Sequence, residues 1–154
     1  MTAADVAAAL APLAPPGAPF IIGVTGSVAV GKSTFAQQLQ GQFEGAELVC
    51  TDGFLHSNAK LEELGRLAAK GAPDTYDHLA LASALSAIRS GPATFPAYSH
   101  VTYDIDPQLA RTLAPPPVLI IEGLTLRDPA TGPAALLDAL IYIEADEADL
   151  ELWY

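Results

Sequence analysis

FIIGVTGSVAVGKST, residues 20–34, decides how the rest of the chain is read. Its first half is a compact apolar run ending in glycine, the pattern of a strand buried on both faces of a parallel sheet. Its second half matches G-x-x-x-x-G-K-[ST] at Gly26, Gly31, Lys32 and Ser33. From Lys32 onward, KSTFAQQLQGQF sets Phe35, Leu39 and Phe43 on one face with glutamines opposite, so an amphipathic helix follows the loop directly. By accident the four fixed positions arise on the order of once in a few hundred such chains, before that strand and helix context is counted.

Each residue type in the loop has a physical task. Glycines let the backbone wrap closely and aim successive N–H groups inward, and the helix start adds its partial positive charge. Gly26, Ser27, Val28, Ala29, Val30, Gly31, Lys32, Ser33 and Thr34 are therefore the expected nucleotide cradle. Lys32 is expected along the β and γ phosphates, and Ser33 is expected to put its hydroxyl on Mg²⁺. A lysine at a helix start opposes the macrodipole and makes sense only with an anion nearby. A guanine-specific site needs N-K-x-D, which NAKL at 58–61 does not match, so ATP is the expected nucleotide.

Working outward, 154 residues are most simply one domain: a lead-in over 1–19 and a phosphate-loop domain over 20–154. A net charge of -11 with seven basic residues argues against gripping nucleic acid or an anionic membrane. Residues 6–31 carry no charge, but Pro12, Pro15, Pro16, Pro19 and the glycine-rich loop break any run of membrane-spanning length. The first basic residue is Lys32, so neither a signal nor a transit peptide is recognised and a cytoplasmic protein is expected. A single cysteine, Cys50, reads as a small buried hydrophobe.

Periodicity predicts a short helix over 3–11, a strand in AELVCTDG and helices over 60–71 and 77–91. It further predicts an extended stretch over 95–105 and a strand in PVLIIEG. A helix over 133–140, a strand over 141–146 and the opening of a helix over 147–154 complete the alternation. The fold class it implies is α/β: a mostly parallel sheet with helices on both faces, the P-loop NTPase fold.

In such sheets ligands sit beyond the carboxyl ends of the strands. Asp52 ends ELVCTD and Glu122 ends VLIIE, each followed by glycine, and both face the phosphate loop if their strands flank the first. Asp52 suits the general base for an attacking hydroxyl, with a turn-forming role as the alternative. Glu122 is a candidate for Mg²⁺-water coordination or for a plain strand-end contact. In YSHVTYD, alternation puts Tyr98 and His100 on one face as a polar pocket wall, near Tyr103 and Asp104. His56 and His78 read as loop and surface residues, and the three histidines show no metal-ligand spacing.

Together IIGVTGSVAVGKST, TDGFLHSN, KGAPDTYD, AYSHVTYDIDP, LIIEGLTL and DLELWY resemble the bacterial type I pantothenate kinases of the phosphoribulokinase and uridine kinase superfamily. The resemblance runs from about residue 20 to the last residue. It implies transfer of the ATP γ-phosphoryl to the primary hydroxyl of pantothenate with Mg²⁺, usually in a homodimer, with coenzyme A as feedback inhibitor. It makes Lys32 and Ser33 the phosphate and Mg²⁺ residues, and Asp52 the base. Tyr98, His100, Tyr103 and Tyr154 then correspond to pocket residues for pantothenate. Thr125 stands where the family has asparagine, and the chain ends before the segment that brings an arginine to the transferring phosphate. No Lys or Arg follows Arg127, which leaves Arg66, Arg89 and Arg111 as substitutes for that arginine. The alternatives are a kinase for another hydroxylated metabolite such as uridine and a non-catalytic ATP-binding regulator.

Overall fold

The computed structural model describes residues 1–27, 30–128 and 133–144. Helix α1 (Ala3–Leu10) opens on a reciprocal cap, in which the Thr2 hydroxyl accepts from the Asp5 amide and the Asp5 carboxylate accepts from the Thr2 amide. Strand β1 (Phe20–Gly26) is buried along its whole length. Helix α2 (Lys32–Gln40) follows the loop and buries Ala36 and Leu39, with Phe35 and Phe43 half-buried beside them. Strand β2 (Glu47–Cys50) leads into a 3-10 turn over Thr51–Phe54.

The single helix expected over 60–71 is split. Helix α3 (Asn58–Glu63) starts on a Ser57 cap and is closed by the Arg66 amide donating back to the Leu61 carbonyl, and a separate 3-10 turn covers Leu67–Ala69. Helix α4 (His78–Ala87) is capped by Asp77. The stretch expected to be extended over 95–105 belongs to two ribbons. Its strands are β3 (Ala93–Phe95), β4 (Tyr98–Ser99), β5 (Asp104–Ile105) and β6 (Arg111–Leu113), pairing β3 with β6 and β4 with β5, both antiparallel.

Strand β7 (Val118–Glu122) forms as predicted, whereas the helix expected over 133–140 is one 3-10 turn, Pro133–Leu136, and β8 (Ala139–Ile143) begins earlier than the pattern suggested. The cause is Asp138: its carboxylate accepts from the Ile21 amide and its own amide donates to the Ile21 carbonyl, both at 2.8 Å, which pins the chain to β1 and sends it on as a strand. The helix expected over 147–154 lies outside the described residues.

The sheet runs β2-β7-β1-β8 with every pair parallel. Ile21 and Leu119 are register partners on the face covered by α4, with Leu81, Leu85 and Ile88 packed against them. Ile22 and Ile120 are partners on the opposite face, under α1 and α2. Ala3 and Ala7 of the lead-in are buried in that second cluster, so α1 packs on the sheet. Helices on both faces of a parallel sheet are the α/β arrangement expected. No helix among the described residues is long and apolar enough to cross a membrane.

Candidate active site

Register carries the site. Cys50 pairs with Glu122 and Glu122 with Val24, so β2, β7 and β1 end together beside the loop that follows β1. Of the two carboxylate strands expected to flank β1, β7 does, and β2 lies beyond it. Asp52 still reaches the loop because the 3-10 turn after β2 carries it there. Lys32, Ser33, Cys50, Asp52, His100 and Glu122 line one cleft of about 230 Å³.

Gly31 caps α2 with φ +84°, a conformation that a side chain would strain. Among the described residues no side chain caps α2, and its first turn holds no acidic residue, so the positive end of the helix is left for an anion. The Lys32 ammonium donates to the Ser27 carbonyl at 2.6 Å. Burial holds that ammonium below its ordinary 10.5, with Glu122, Asp52 and Cys50 pulling the other way. A partly desolvated cation whose bond among the described residues is to a loop carbonyl fits a polyphosphate. Val28 and Ala29 lie outside the described residues, Val30 is buried, and Thr34 is exposed on the first turn of α2.

The Ser33 hydroxyl donates to Glu122 Oε1 at 3.0 Å. A hydroxyl and a carboxylate side by side at the phosphate end of a helix are the hard oxygen donors that Mg²⁺ takes, so these residues fit that ion. Among the described residues no cluster of three or more His, Cys, Asp and Glu is arranged to hold a metal on its own.

The Asp52 carboxylate accepts from the Tyr76 hydroxyl at 3.0 Å. Tyr76 is buried, and burial together with the Asp52 charge pushes its hydroxyl well above the ordinary tyrosine value, so it stays a donor. Sequence reasoning did not pick out Tyr76. It stands 24 positions from Asp52 with no spacing that relates them, and the only signal was its place in KGAPDTYD. Cys50 is also not the buried core residue expected: it is half-buried and lines the cleft, its thiol pushed far up by burial first and by Asp52 and Glu122 next.

A second cavity of about 160 Å³ shares Cys50, Asp52 and His100 with the first and adds Phe95, Tyr98 and Arg111. Tyr98 and His100 meet edge to face, ring centroids 5.1 Å apart. Strand alternation is not the cause, because His100 lies in the turn between β4 and β5. Tyr103 stands apart at 66% exposure with φ +54°, outside the lining of both cavities. Its carbonyl accepts from Asn58 and Lys70, and the Lys70 ammonium also lies 4.8 Å from the centre of the Tyr98 ring. Tyr154 lies outside the described residues. His78 bonds the Pro73 carbonyl at 2.6 Å and His56 lies away from both cavities. Thr125 is buried, its hydroxyl without a hydrogen-bond partner among the described residues. Each candidate arginine pairs with a carboxylate, Arg66 with Asp74, Arg89 with Asp138 and Arg111 with Glu47, and Arg111 also lines the second cavity.

Residues 21–153 match the Phosphoribulokinase / Uridine kinase family. The pantothenate kinase of Afipia carboxidovorans is 45% identical over 153 residues, covering 88% of this chain and 48% of that protein. The pantothenate kinase of Streptomyces coelicolor is 42% identical over 155 residues, covering 90% and 47%. The chain thus spans about half the length of the curated relatives it matches. Among solved structures, a candidate fructose transport system kinase of Silicibacter sp. TM1040 superposes with a TM-score of 0.89 at 27% identity, over 99% of this chain and 79% of that one. The match runs from β1 through the phosphate loop and both carboxylates, and on it the chain belongs to the phosphoribulokinase and uridine kinase family of P-loop kinases.

Proposed function

We propose that this chain binds ATP and pantothenate and transfers the γ-phosphoryl group to pantothenate's primary hydroxyl. The observation that carries the reading is the shared cleft. Asp52 lies beside Lys32, Ser33 and Glu122 on one side, and on the other it lines, with His100, the cavity of Tyr98. The similarity to pantothenate kinases supports the choice of acceptor.

In this reading the hydroxyl oxygen attacks the γ-phosphorus and takes its electron pair into the new O–P bond. The bond to the bridging oxygen breaks and ADP leaves, while Asp52 takes the hydroxyl proton. Tyr76 holds one carboxylate oxygen of Asp52 and leaves the other for that proton. Lys32 and the start of α2 bind the phosphates. Ser33, with Glu122 beside it, would hold Mg²⁺, which would supply charge neutralisation on the phosphate oxygens. Tyr98 and His100 contribute to the acceptor wall, where coenzyme A would compete. Residues 20–154 belong to the kinase domain, of which they are a part, behind the lead-in 1–19, and the protein works in the cytoplasm as a homodimer.

The test is a coupled assay with ATP, Mg²⁺ and pantothenate. ADP and phosphopantothenate should appear in equal amounts, and Lys32→Met or Asp52→Asn should abolish both. ATP binding with no transfer at any enzyme concentration would overturn the reading in favour of a regulator, and transfer to uridine alone would overturn the acceptor.

A further inference from the structure

A second cation, Arg127, shares a cleft with the start of the phosphate loop. Thr25, Gly26 and Ser27 line a separate cleft of about 380 Å³ together with Leu124, Arg127, Tyr142 and the acidic Asp128. Leu124 also lines the cleft of Lys32 and Asp52, so the two clefts meet at that residue. The Arg127 guanidinium lies 4.9 Å from the centre of the Tyr142 ring. A planar guanidinium can stack on a ring and keep its edge N–H donors for an anion, and the neutral ring does not cancel its charge.

A census of the seven basic residues isolates this one. Lys60, Arg66, Arg89 and Arg111 pair with carboxylates. Lys70 is held by Asn58 and the Tyr103 carbonyl. Only Lys32 and Arg127 line clefts against the loop without a carboxylate in salt-bridge contact among the described residues. The loop that carries Arg127 is tied down by the Gly123 amide donating to the Val24 carbonyl at 3.0 Å and by the Thr25 hydroxyl donating to the Leu124 carbonyl at 3.2 Å.

Ser27 links the two cations. The Lys32 ammonium, the group that takes the β and γ phosphates, sits on the Ser27 carbonyl, and Ser27 lines the cleft of Arg127. We propose that Arg127, steadied by Tyr142, contacts the terminal phosphoryl group of the nucleotide from the cleft it shares with Ser27. The proposal rests on the loop binding ATP. It assigns to this chain's own β7–β8 connection a cation on the transferring group.

Calorimetry with ATP, ADP and inorganic tripolyphosphate, each with Mg²⁺, tests it. Arg127→Gln should weaken ATP and tripolyphosphate about tenfold or more and ADP less than about threefold. Tyr142→Leu should give a smaller loss of the same pattern, and Arg66→Gln, which breaks only the exposed pair with Asp74, none. Equal losses for ATP and ADP, or no loss for either in a variant whose thermal unfolding matches wild type, would overturn the role of Arg127 alone. Wild-type protein that binds neither nucleotide would overturn the loop reading with it.

Discussion

Tyr76 and Asp52 are joined at 3.0 Å, phenol to carboxylate, across the junction between the β2 end and the segment leading into α4. The junction is laced by backbone as well. Leu55 and Tyr76 form an antiparallel bridge, the His56 amide donates to the Thr75 carbonyl at 2.9 Å, and the Asp77 amide to the Phe54 carbonyl at 2.7 Å. The turn that carries the proposed base is therefore held by a segment that also sets the start of a core helix. Orientation of Asp52 and packing of α4 depend on the same few bonds.

Tyr76→Phe keeps the ring and removes only the donor. A hydrogen bond to a charged acceptor is worth about 1.5–3 kcal/mol. The expected result is kcat lower by roughly 10- to 100-fold with ATP affinity within about twofold, because no phosphate contact changes. Steady-state kinetics beside calorimetry of ATP binding checks this. An unchanged kcat would remove Tyr76 from the machinery.

Ser33 and Glu122 make a separate prediction through Mg²⁺. Their 3.0 Å contact puts the carboxylate where it can orient a metal-bearing hydroxyl or a metal-bound water. Glu122→Gln should raise the Mg²⁺ concentration at half-maximal activity by about 10- to 100-fold, as loss of a supporting ligand usually does. Ser33→Ala should raise it at least as much. A Mg²⁺ titration that leaves both variants on the wild-type curve would show that the pair serves only to join α2 to β7.

Gly53 is constrained by space. A Cβ there would lie 1.9 Å from the Pro96 carbonyl oxygen and 2.6 Å from its carbon, and backbone cannot swing aside as a side-chain tip can. Gly53→Ala must separate the Asp52 turn from the segment leading to Tyr98, which splits the acceptor cavity. The expected cost is about 3 kcal/mol or somewhat more in urea unfolding, at the high end for overpacking, with loss of transfer. Gly91→Ala has open space around the added carbon and should stay within about 0.5 kcal/mol.

What was legible followed from local chemistry. The apolar run at 20–26, the glycines and lysine of the loop and the face of Phe35, Leu39 and Phe43 each fix their own conformation, and the structure forms them there. Asp52 and Glu122 were legible as strand ends for the same reason, although the strand order that brings them together was not. Misreadings fell where distant contacts decide. Asp138 becomes a strand lead-in only because it bonds Ile21, 117 positions away, and 95–105 divides into ribbons because β3 pairs with β6. Tyr76 and Arg127 belong to the same class, since neither shows its partner in its own neighbourhood of sequence.

Alkaline pH offers a test of the cleft that needs no substrate. Cys50 and Tyr76 are both raised from their ordinary 9.0 and 10.0, chiefly by burial, with the Asp52 charge adding to each. Above pH 9 the unfolded chain therefore gives up a cysteine proton that the folded chain keeps, and above pH 10 a tyrosine proton as well. With more protons bound to the folded state, stability falls as pH rises. Lys32 acts in the opposite sense. Held below 10.5, it loses its proton sooner in the folded state and offsets part of the fall just below that pH. The expected outcome is a urea midpoint that declines from about pH 9 upward. Cys50→Ala should flatten the onset, and Tyr76→Phe only the part above pH 10. Parallel curves for wild type and Cys50→Ala would mean that the thiol does not sit in the desolvated, acid-flanked floor described for it.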